Sequence, residues 1–351
     1  MIACENNIRR LSLDIEDWID IYLPINNLID VVTFDFHYRH GQIFYVDSKI
    51  NEIRSLKIIS GKNLSQLAET SSLRTITIIK SDIKKITSIA VDWIADNIYW
   101  SDQERHIIEV ARIDGSSRKI LIDLDLDVPK CLEVMPNSGF IFWINGGNNQ
   151  KIERGLIDIL FFYCVSIIII IFLIKKAFLD GSSRIKLIDS NIGLVNGLAV
   201  DDGIENHDRM PRIYWSDELL KRIETATVDG TQRRILISSG LTLPFSITVL
   251  GDYIYWSDLF HKVIERANRW TGFNYELISD NIENIRQIRA VSESRQRIDF
   301  YWEENPDDPN IPHSNPCAQQ NGQCSHLCLF RSHGYICACP LIIDTPCSTG
   351  N

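Results

Sequence analysis

Asn97-Ile98-Tyr99-Trp100-Ser101-Asp102 is the stretch that decides the fold of this chain, because it returns at intervals of tens of residues. Close copies end in Tyr214-Trp215-Ser216-Asp217 and Tyr255-Trp256-Ser257-Asp258. More distant copies are Phe44-Tyr45-Val46-Asp47, Phe142-Trp143-Ile144-Asn145 and Phe300-Tyr301-Trp302-Glu303. A unit that recurs at this spacing is the sequence signature of a repeat protein.

Two further strings accompany the aromatic one. An Ile-Glu pair follows most copies, as at Ile108-Glu109, and an Asp-Gly turn follows that pair, as at Asp114-Gly115. Glycine tolerates the positive φ that tight hairpins need, so these strings mark strands joined by turns. Each unit then supplies four strands of one blade, and six units predict an all-β, six-bladed β-propeller.

The repeated aromatic residues are expected to be structural. Side chains alternate across a strand, so the rings can pack one blade against the next, and the aspartate at the strand end can accept N–H bonds from a neighbouring turn. The structural residues predicted in this way are Tyr45, Asp47, Tyr99, Trp100, Asp102, Trp143, Tyr214, Trp215, Asp217, Tyr255, Trp256 and Asp258.

Charge and motifs exclude several classes of protein. The net charge is −10, and there is no basic stripe, which argues against nucleic-acid binding. No zinc-protease, nucleophile-elbow or phosphate-loop motif occurs, so no catalytic residue, metal or cofactor is predicted. Some six-bladed propellers are metal-dependent hydrolases whose ligands converge on the central channel. The sequence leaves that geometry open but does not require it.

Cysteines indicate an oxidising compartment. Six of the nine lie between Cys317 and Cys347, and an even set in so short a stretch is typical of a disulfide-stapled module. We therefore expect the chain at the extracellular face of the plasma membrane, with Asn63 as a glycan acceptor. Met1-Ile2-Ala3-Cys4 does not begin a signal segment, so we expect a natural start upstream.

An apolar run interrupts the third unit. Leu156–Ile174 has Asp158 as its only charge and is long enough to span a bilayer core of about 30 Å. The second and third units align without a gap when residues 155–176 are skipped, which predicts an insertion inside one strand. A membrane-spanning reading is rejected, because it would separate the first two blades from the rest. A loop remains open, as does our preferred hypothesis of a retained intron.

These observations divide the chain into a propeller at 1–303, a linker at 304–314 and a module at 315–351. Ile285–Val291 and Arg297–Trp302 are predicted as the first two strands of the last blade. Residues of the N-terminal 30 are expected to pair nearby and to seal the ring.

The repeated strings resemble the Tyr-Trp-Thr-Asp propellers of the low-density-lipoprotein receptor family, with Ser101, Ser216 and Ser257 in the threonine position. The cysteine spacing resembles an EGF-like module, which that family places directly after the propeller. The resemblance implies the pairs Cys317–Cys328, Cys324–Cys337 and Cys339–Cys347. The residues before Cys317 lack the acidic pattern of calcium-binding modules, so no calcium is predicted there.

Within this family, strings such as Asn196-Gly197-Leu198 are most similar to the first propeller of the Wnt co-receptors of the arrow class. This resemblance implies a receptor segment that binds Wnt proteins and secreted antagonists on one propeller face. Asn196 would take an Asn-x-Ile peptide, Glu104 would be an acidic rim residue, and Lys130 would replace an arginine. A membrane anchor would come from a C-terminal segment beyond this chain.

The sequence also departs from the family pattern on that face. Leu194, Gly146 and Leu259 stand where the family has tryptophan, and Asn145 replaces the motif aspartate. Ligand contact is therefore expected to be weakened or altered. An endocytic lipoprotein-type receptor segment is the alternative function.

Overall fold

The computed structural model of the chain describes residues 1–11, 13, 20–23, 25, 27–58, 75–147, 173–203, 210–297, 315–331, 334–340 and 347. The strands in chain order are β1 (Ile2–Cys4), β2 (Asn7–Leu11), β3 (Asp20–Tyr22), β4 (Val31–His37), β5 (Gln42–Asp47), β6 (Glu52–Lys57), β7 (Thr75–Ile79), β8 (Ile86–Asp92), β9 (Asn97–Asp102), β10 (Ile107–Arg112), β11 (Lys119–Ile122), β12 (Val128–Met135), β13 (Phe140–Gly146), β14 (Leu173–Phe178), β15 (Ile185–Ile188), β16 (Val195–Asp201), β17 (Arg212–Asp217), β18 (Arg222–Thr227), β19 (Arg234–Ile237), β20 (Pro244–Leu250), β21 (Tyr253–Asp258), β22 (Val263–Asn268), β23 (Glu276–Ser279), β24 (Ile285–Ile288), β25 (Leu327–Arg331) and β26 (Gly334–Ala338).

Six four-stranded antiparallel sheets form the six blades of a propeller. Blades one to five are β4–β7, β8–β11, β12–β15, β16–β19 and β20–β23, and blade six combines β24 with β1–β3. The first strands contact one another in the order β4, β8, β12, β16, β20 and β24, and β24 returns to β4. The ring is therefore closed, and the predicted six-bladed all-β fold is confirmed.

The two faces of the ring follow from strand register. In blade two, Ile86 at the start of the first strand is paired with Asp102 at the end of the second strand. We call the face at these strand ends the upper face, and it carries Asp47, Asp102, Asn145, Asp217 and Asp258. The opposite, lower face carries the turns between first and second strands.

Alternation of side chains explains why the aromatic motif builds this fold. Trp100 packs among residues of blade one, including Phe44 and Val46, whereas Tyr99 packs with Leu132 and Trp143 of blade three. Both motif rings are fully buried because each sheet is covered on both faces. Burial of such a side chain contributes about 1.5–3 kcal/mol, so the repeated rings hold adjacent blades together.

Blade six joins the two ends of the propeller. β24 pairs with β1, with Ile2 opposite Ile288 and Ala3 opposite Gln287. The backbone N–H of Arg289 also donates to the carbonyl of Met1 at 2.9 Å. β1 thus occupies the position for which the sequence predicted Arg297–Trp302, so that prediction is wrong. Residues 298–303 themselves lie outside the described ranges.

The boundary of the apolar insertion also differs from the prediction. Leu173–Lys176 belongs to β14, where Lys175 is opposite Trp143, so the last four residues of the predicted 155–176 insertion form strand in this structure. The reason is that Ile174-Lys175-Lys176 repeats the apolar-charged-charged pattern of Ile152-Glu153-Arg154, and either can precede Ala177. Residues 148–172 lie outside the described ranges, as does Asn63. Among the described residues, no helix has the length and apolar character to cross a membrane.

A small disulfide-bonded module follows the propeller. Two 3₁₀ turns, Pro316–Ala318 and Gln320–Gln323, precede the β25–β26 hairpin. The disulfides are Cys317–Cys328, Cys324–Cys337 and Cys339–Cys347, which is the pairing that the resemblance implies.

The module packs against the lower face of blades two and three. Asn97 Nδ2 donates to the carbonyl of Cys328 at 3.0 Å, and Arg112 donates to Asn321 Oδ1 at 2.6 Å. Leu327 and Leu329 are fully buried in the same cluster as Tyr99 and Trp143. The module therefore leaves the upper face uncovered.

Candidate ligand-binding face

The motif aspartates fasten the loops of the upper face. Asp102 accepts N–H bonds from Lys84 and Lys85, at 2.8 and 3.1 Å, in the loop before blade two. It also accepts N–H bonds from Glu104 and Arg105 in the turn after β9. One carboxylate thus ties together two loops that have no regular structure.

The same arrangement recurs around the ring. Asp258 accepts N–H bonds from Thr242, Leu243, Phe260 and His261, Asp47 from Ile29, Asp30 and Lys49, and Asp217 from Gly193 and Leu220. In blade three, Asn145 Oδ1 accepts the N–H of Asp127 at 3.0 Å, and its Nδ2 donates to the carbonyl of Asp125 at 3.4 Å. The amide therefore keeps the loop contact that the aspartate makes elsewhere. The upper face is consequently a set of fixed loops.

Lys130, Asn196 and Glu218 form a polar chain at the centre of this face. Lys130 Nζ donates to Asn196 Oδ1 at 3.0 Å, and Asn196 Nδ2 donates to Glu218 Oε2. All three side chains are half-buried. The structure therefore brings together two of the three predicted ligand-binding residues and adds Glu218.

Bulges at the upper ends of the inner strands position these side chains. The β16–β17 register shifts between Val195 and Gly197, so Asn196 lies in the bulge, and a similar shift in β12 follows Lys130. A bulge re-aims a side chain relative to regular pairing. Gly197 is required beside Asn196, because a Cβ there would lie 2.4 Å from the carbonyl oxygen of Phe245.

Burial shapes the chemistry of this centre. Desolvation lowers the pKa of the Lys130 ammonium from its ordinary value. It also raises the pKa of the neighbouring Cys131 thiol to about 11, so this thiol stays protonated at neutral pH. Cys131 Sγ donates to the carbonyl of Asn196 at 3.0 Å and thereby helps to hold the bulge.

Glu104 lies apart from this polar chain. Its side chain is exposed in the turn after β9, and within the described residues no hydrogen bond or ion pair joins it to Lys130 or Asn196. Glu218, which the sequence reasoning missed, directly follows the motif residue Asp217. Its position in the string was the available signal, since the residue after the motif lies on the upper face in blades one to five.

Exposed apolar side chains lie on the same face. Leu219 is 70% exposed in the turn after β17, Phe260 is 68% exposed in the corresponding turn of blade five, and Leu124 is 65% exposed before blade three. Leu259, at a position where the family has tryptophan, is instead packed against the core. The upper face therefore combines a polar centre with an apolar rim.

The channel beneath this face contains paired charges. Arg289 donates to both carboxylate oxygens of Glu133, at 2.7 and 2.9 Å, and its Nε lies 3.3 Å from Asp35 Oδ1. Burial works to lower the pKa of Arg289, but Asp35 and Glu133 raise it above its ordinary value. A single guanidinium is thus shared between the two acidic side chains that face it in the channel.

Comparison with known proteins finds a matching repeat family and a similar human protein. The model of the low-density lipoprotein receptor repeat class B matches residues 96–132 and 211–249, which run from blades two and four into the first strands of blades three and five. The low-density lipoprotein receptor-related protein 5-like protein of Homo sapiens is 30% identical over 218 residues, covering 62% of this chain and 74% of that protein.

The chain belongs to the low-density lipoprotein receptor family. It is an extracellular propeller segment of this family, as the class B repeats and the receptor-related protein indicate together.

Solved structures support the fold of this receptor-family segment. A structure of a nidogen/laminin complex matches with a TM-score of 0.64 and 21% identity, covering 82% of this chain and 96% of the matched one. A gluconolactonase of Xanthomonas campestris matches with a TM-score of 0.56 and 14% identity, covering 84% and 91%. At these identities the likeness concerns the propeller fold alone.

Proposed function

We propose that this chain is the ligand-binding segment of a Wnt co-receptor, which binds Wnt proteins and secreted antagonists on its upper face. The observation that carries the proposal is the chain of hydrogen bonds through Asn196, at the centre of a face built from fixed loops. Rigid loops lose little conformational entropy on binding, so such a face is suited to recognition.

The polar centre suits a side-chain amide of the ligand. Lys130 supplies a donor and Glu218 an acceptor on either side of Asn196, and a carboxamide needs one of each. The asparagine of an Asn-x-Ile peptide could therefore exchange hydrogen bonds with this trio. The ligand would remove the polar groups of this trio from water, and the hydrogen bonds that it forms with them would contribute to the binding energy.

The apolar rim suits the isoleucine of the same peptide. Leu219 and Leu220 follow directly after Glu218, so an apolar surface begins beside the acceptor of the polar centre. Covering such side chains contributes about 25 cal/mol per Å² of apolar area. Leu194, in place of a tryptophan, reduces the apolar area available and supports a weaker or altered contact.

A binding experiment tests this proposal. Purified chain is titrated with a labelled Asn-x-Ile peptide and, separately, with a purified Wnt protein. Asn196→Ala should weaken peptide binding by about tenfold or more, since it removes the centre of the hydrogen-bond chain. The control is Asn137→Ala, because Asn137 is also half-buried and bonds to Asp202 on the lower face.

The outcomes separate the residue assignment from the function. Equal peptide affinity of wild type and Asn196→Ala would remove Asn196 from the site. Failure of the wild type to bind either ligand would reject the Wnt co-receptor function and favour an endocytic lipoprotein-type receptor segment. Unfolding midpoints of both variants ensure that lost binding does not reflect lost folding.

We also infer a non-enzymatic role for the propeller. In the channel, the carboxylates of Asp35 and Glu133 are paired with Arg289, so a cation would have to displace a buried guanidinium. Breaking such a buried pair is costly. A metal-dependent hydrolase would need acidic ligands in the channel, and these two are already paired with Arg289. A gluconolactonase has a similar fold, but the fold alone does not supply such ligands. Hydrolase activity that disappears on metal chelation would reverse this inference.

A further inference from the structure

His37, His40 and Asp96 meet on the lower face, at the junction of blades one and two. His37 ends β4, His40 lies in the turn between β4 and β5, and Asp96 lies in the turn between β8 and β9. Asp96 is 59 residues from His37 in the chain. The neighbouring first strands β4 and β8 bring the two turns together.

Both imidazoles converge on one carboxylate oxygen. His37 Nε2 lies 2.9 Å from Asp96 Oδ1, and His40 Nε2 lies 3.1 Å from the same atom. The candidate ligand atoms of all three residues lie within 4.8 Å of one another. Zinc binds imidazole nitrogen and carboxylate oxygen at about 2.0–2.2 Å, so a zinc ion fits among these atoms if they separate by a few tenths of an ångström.

One side chain of the cluster is buried, and the other two are partly exposed to solvent. The His37 side chain is fully buried, whereas those of His40 and Asp96 are 42% and 36% exposed. The backbone of Asp96 is held as well, because its carbonyl accepts the N–H of Ile113 at 3.0 Å. Three ligands with a solvent-facing side leave a fourth position for water.

A backbone hydrogen bond sets the tautomer of His37. The N–H of His40 donates to His37 Nδ1 at 3.4 Å, which assigns the ring proton to Nε2. Metal binding at Nε2 would move that proton to Nδ1, so the metal would replace the hydrogen bond to Asp96 and the long hydrogen bond from His40 would be lost.

We propose that His37, His40 and Asp96 form a binding site for zinc, or for a transition metal of similar ligand preference, that links blades one and two. Two imidazoles and one carboxylate are ligands typical of zinc. Calcium and magnesium prefer oxygen ligands and should not bind here. The site lies on the lower face and is separate from the proposed Wnt-binding centre, so either proposal can fail alone.

Metal titration tests the site. The chain, prepared without an affinity tag, is titrated with Zn²⁺ by calorimetry and with Co²⁺ by visible absorption. We expect one saturable site, which His40→Asn and Asp96→Asn should each weaken by more than about tenfold. Asparagine is chosen at 96 because it tolerates the positive φ of 53° there.

His106→Asn is the matched control. His106 is an exposed histidine on the upper face with a φ of 55°, and it bonds to the carbonyl of Asp127. Its variant should bind zinc as the wild type does. The proposal is overturned if the wild type shows no saturable uptake, if either His40→Asn or Asp96→Asn retains wild-type affinity, or if His106→Asn also loses it. Near-UV circular dichroism verifies that each variant is folded.

Discussion

At the scale of residues, the glutamate of the Ile-Glu string accepts a hydrogen bond from the tryptophan of the aromatic motif in blades two and five. Trp100 Nε1 donates to Glu109 Oε2 at 3.1 Å, and Trp256 Nε1 donates to Glu265 Oε2 at the same distance. In blade three, Lys175 stands opposite Trp143 instead. Trp143 Nε1 is buried with no hydrogen-bond partner among the described residues. Blade three thus lacks a bond that blades two and five make.

A single substitution should supply this bond. Lys175→Glu would give Trp143 an acceptor and would face Arg184, which corresponds to the Arg118 that pairs with Glu109. We expect the free energy of unfolding to rise by about 1 kcal/mol, because a satisfied buried donor is worth about that much. The bond of Lys175 Nζ to the carbonyl of Asp125 is lost, but desolvation already disfavours the charged lysine and lowers its pKa.

Urea denaturation measures this effect. Lys57→Glu is the control, since it makes the same charge change at an exposed position of strand β6 in another blade and should leave stability nearly unchanged. Blade four shows a different arrangement, because Trp215 Nε1 has no hydrogen-bond partner among the described residues although Glu224 lies opposite it. There, Glu224 is paired with Arg222 and Arg233. Stability of Lys175→Glu at or below wild type would show that Arg184 likewise engages the new carboxylate without benefit to Trp143.

At the scale of elements, the short strand β1 closes the ring. It joins the last blade to the rest, although it contains only Ile2, Ala3 and Cys4. Ala3 is fully buried and packs in the cluster that contains Phe34, Phe36 and Ile43 of blade one. A propeller that fails to close leaves sheet edges unpaired, so this small strand has a large structural effect.

A charged side chain in β1 should therefore disrupt the packing of blade six against blade one. We expect Ala3→Glu to lower the free energy of unfolding by at least about 3 kcal/mol, because it would bury an unpaired carboxylate. Asn6→Glu is the control, since Asn6 is exposed in the turn between β1 and β2. Chemical denaturation followed by tryptophan fluorescence measures both variants. A loss of less than about 1 kcal/mol in Ala3→Glu would mean that β1 does not close the ring in solution.

At the scale of the whole molecule, the repeated aromatic string was sufficient to predict six blades and the packing of their rings. The closing strand was not predictable, because Ile2-Ala3-Cys4 has no aromatic residue while Phe300–Glu303 resembles the motif. Glu218 and the cluster of His37, His40 and Asp96 were missed for a related reason. Glu218 meets Asn196 across the bulge of its own blade, and the cluster joins turns of blades one and two, so these contacts exist only in the folded chain.

The insertion in blade three allows a final prediction about the whole chain. Deleting residues 155–176 leaves Ile152-Glu153-Arg154 before Ala177, whereas deleting residues 152–173 leaves Ile174-Lys175-Lys176 there. The two deletions have the same length, and each supplies a strand of the same pattern. We expect both chains to fold cooperatively, because all six blades keep four strands and a shorter loop costs less entropy to close.

The chain that retains Glu153 should be the more stable of the two by about 1 kcal/mol, since Glu153 would stand opposite Trp143 as Glu109 stands opposite Trp100. Thermal unfolding of both secreted proteins measures the difference. Failure of both deletions to fold would show that the insertion belongs to the ring, and would reject the retained-intron hypothesis. Sequencing the transcript across Arg154 and Ala177 gives independent evidence, because a spliced message that lacks codons 155–176 encodes the more stable chain.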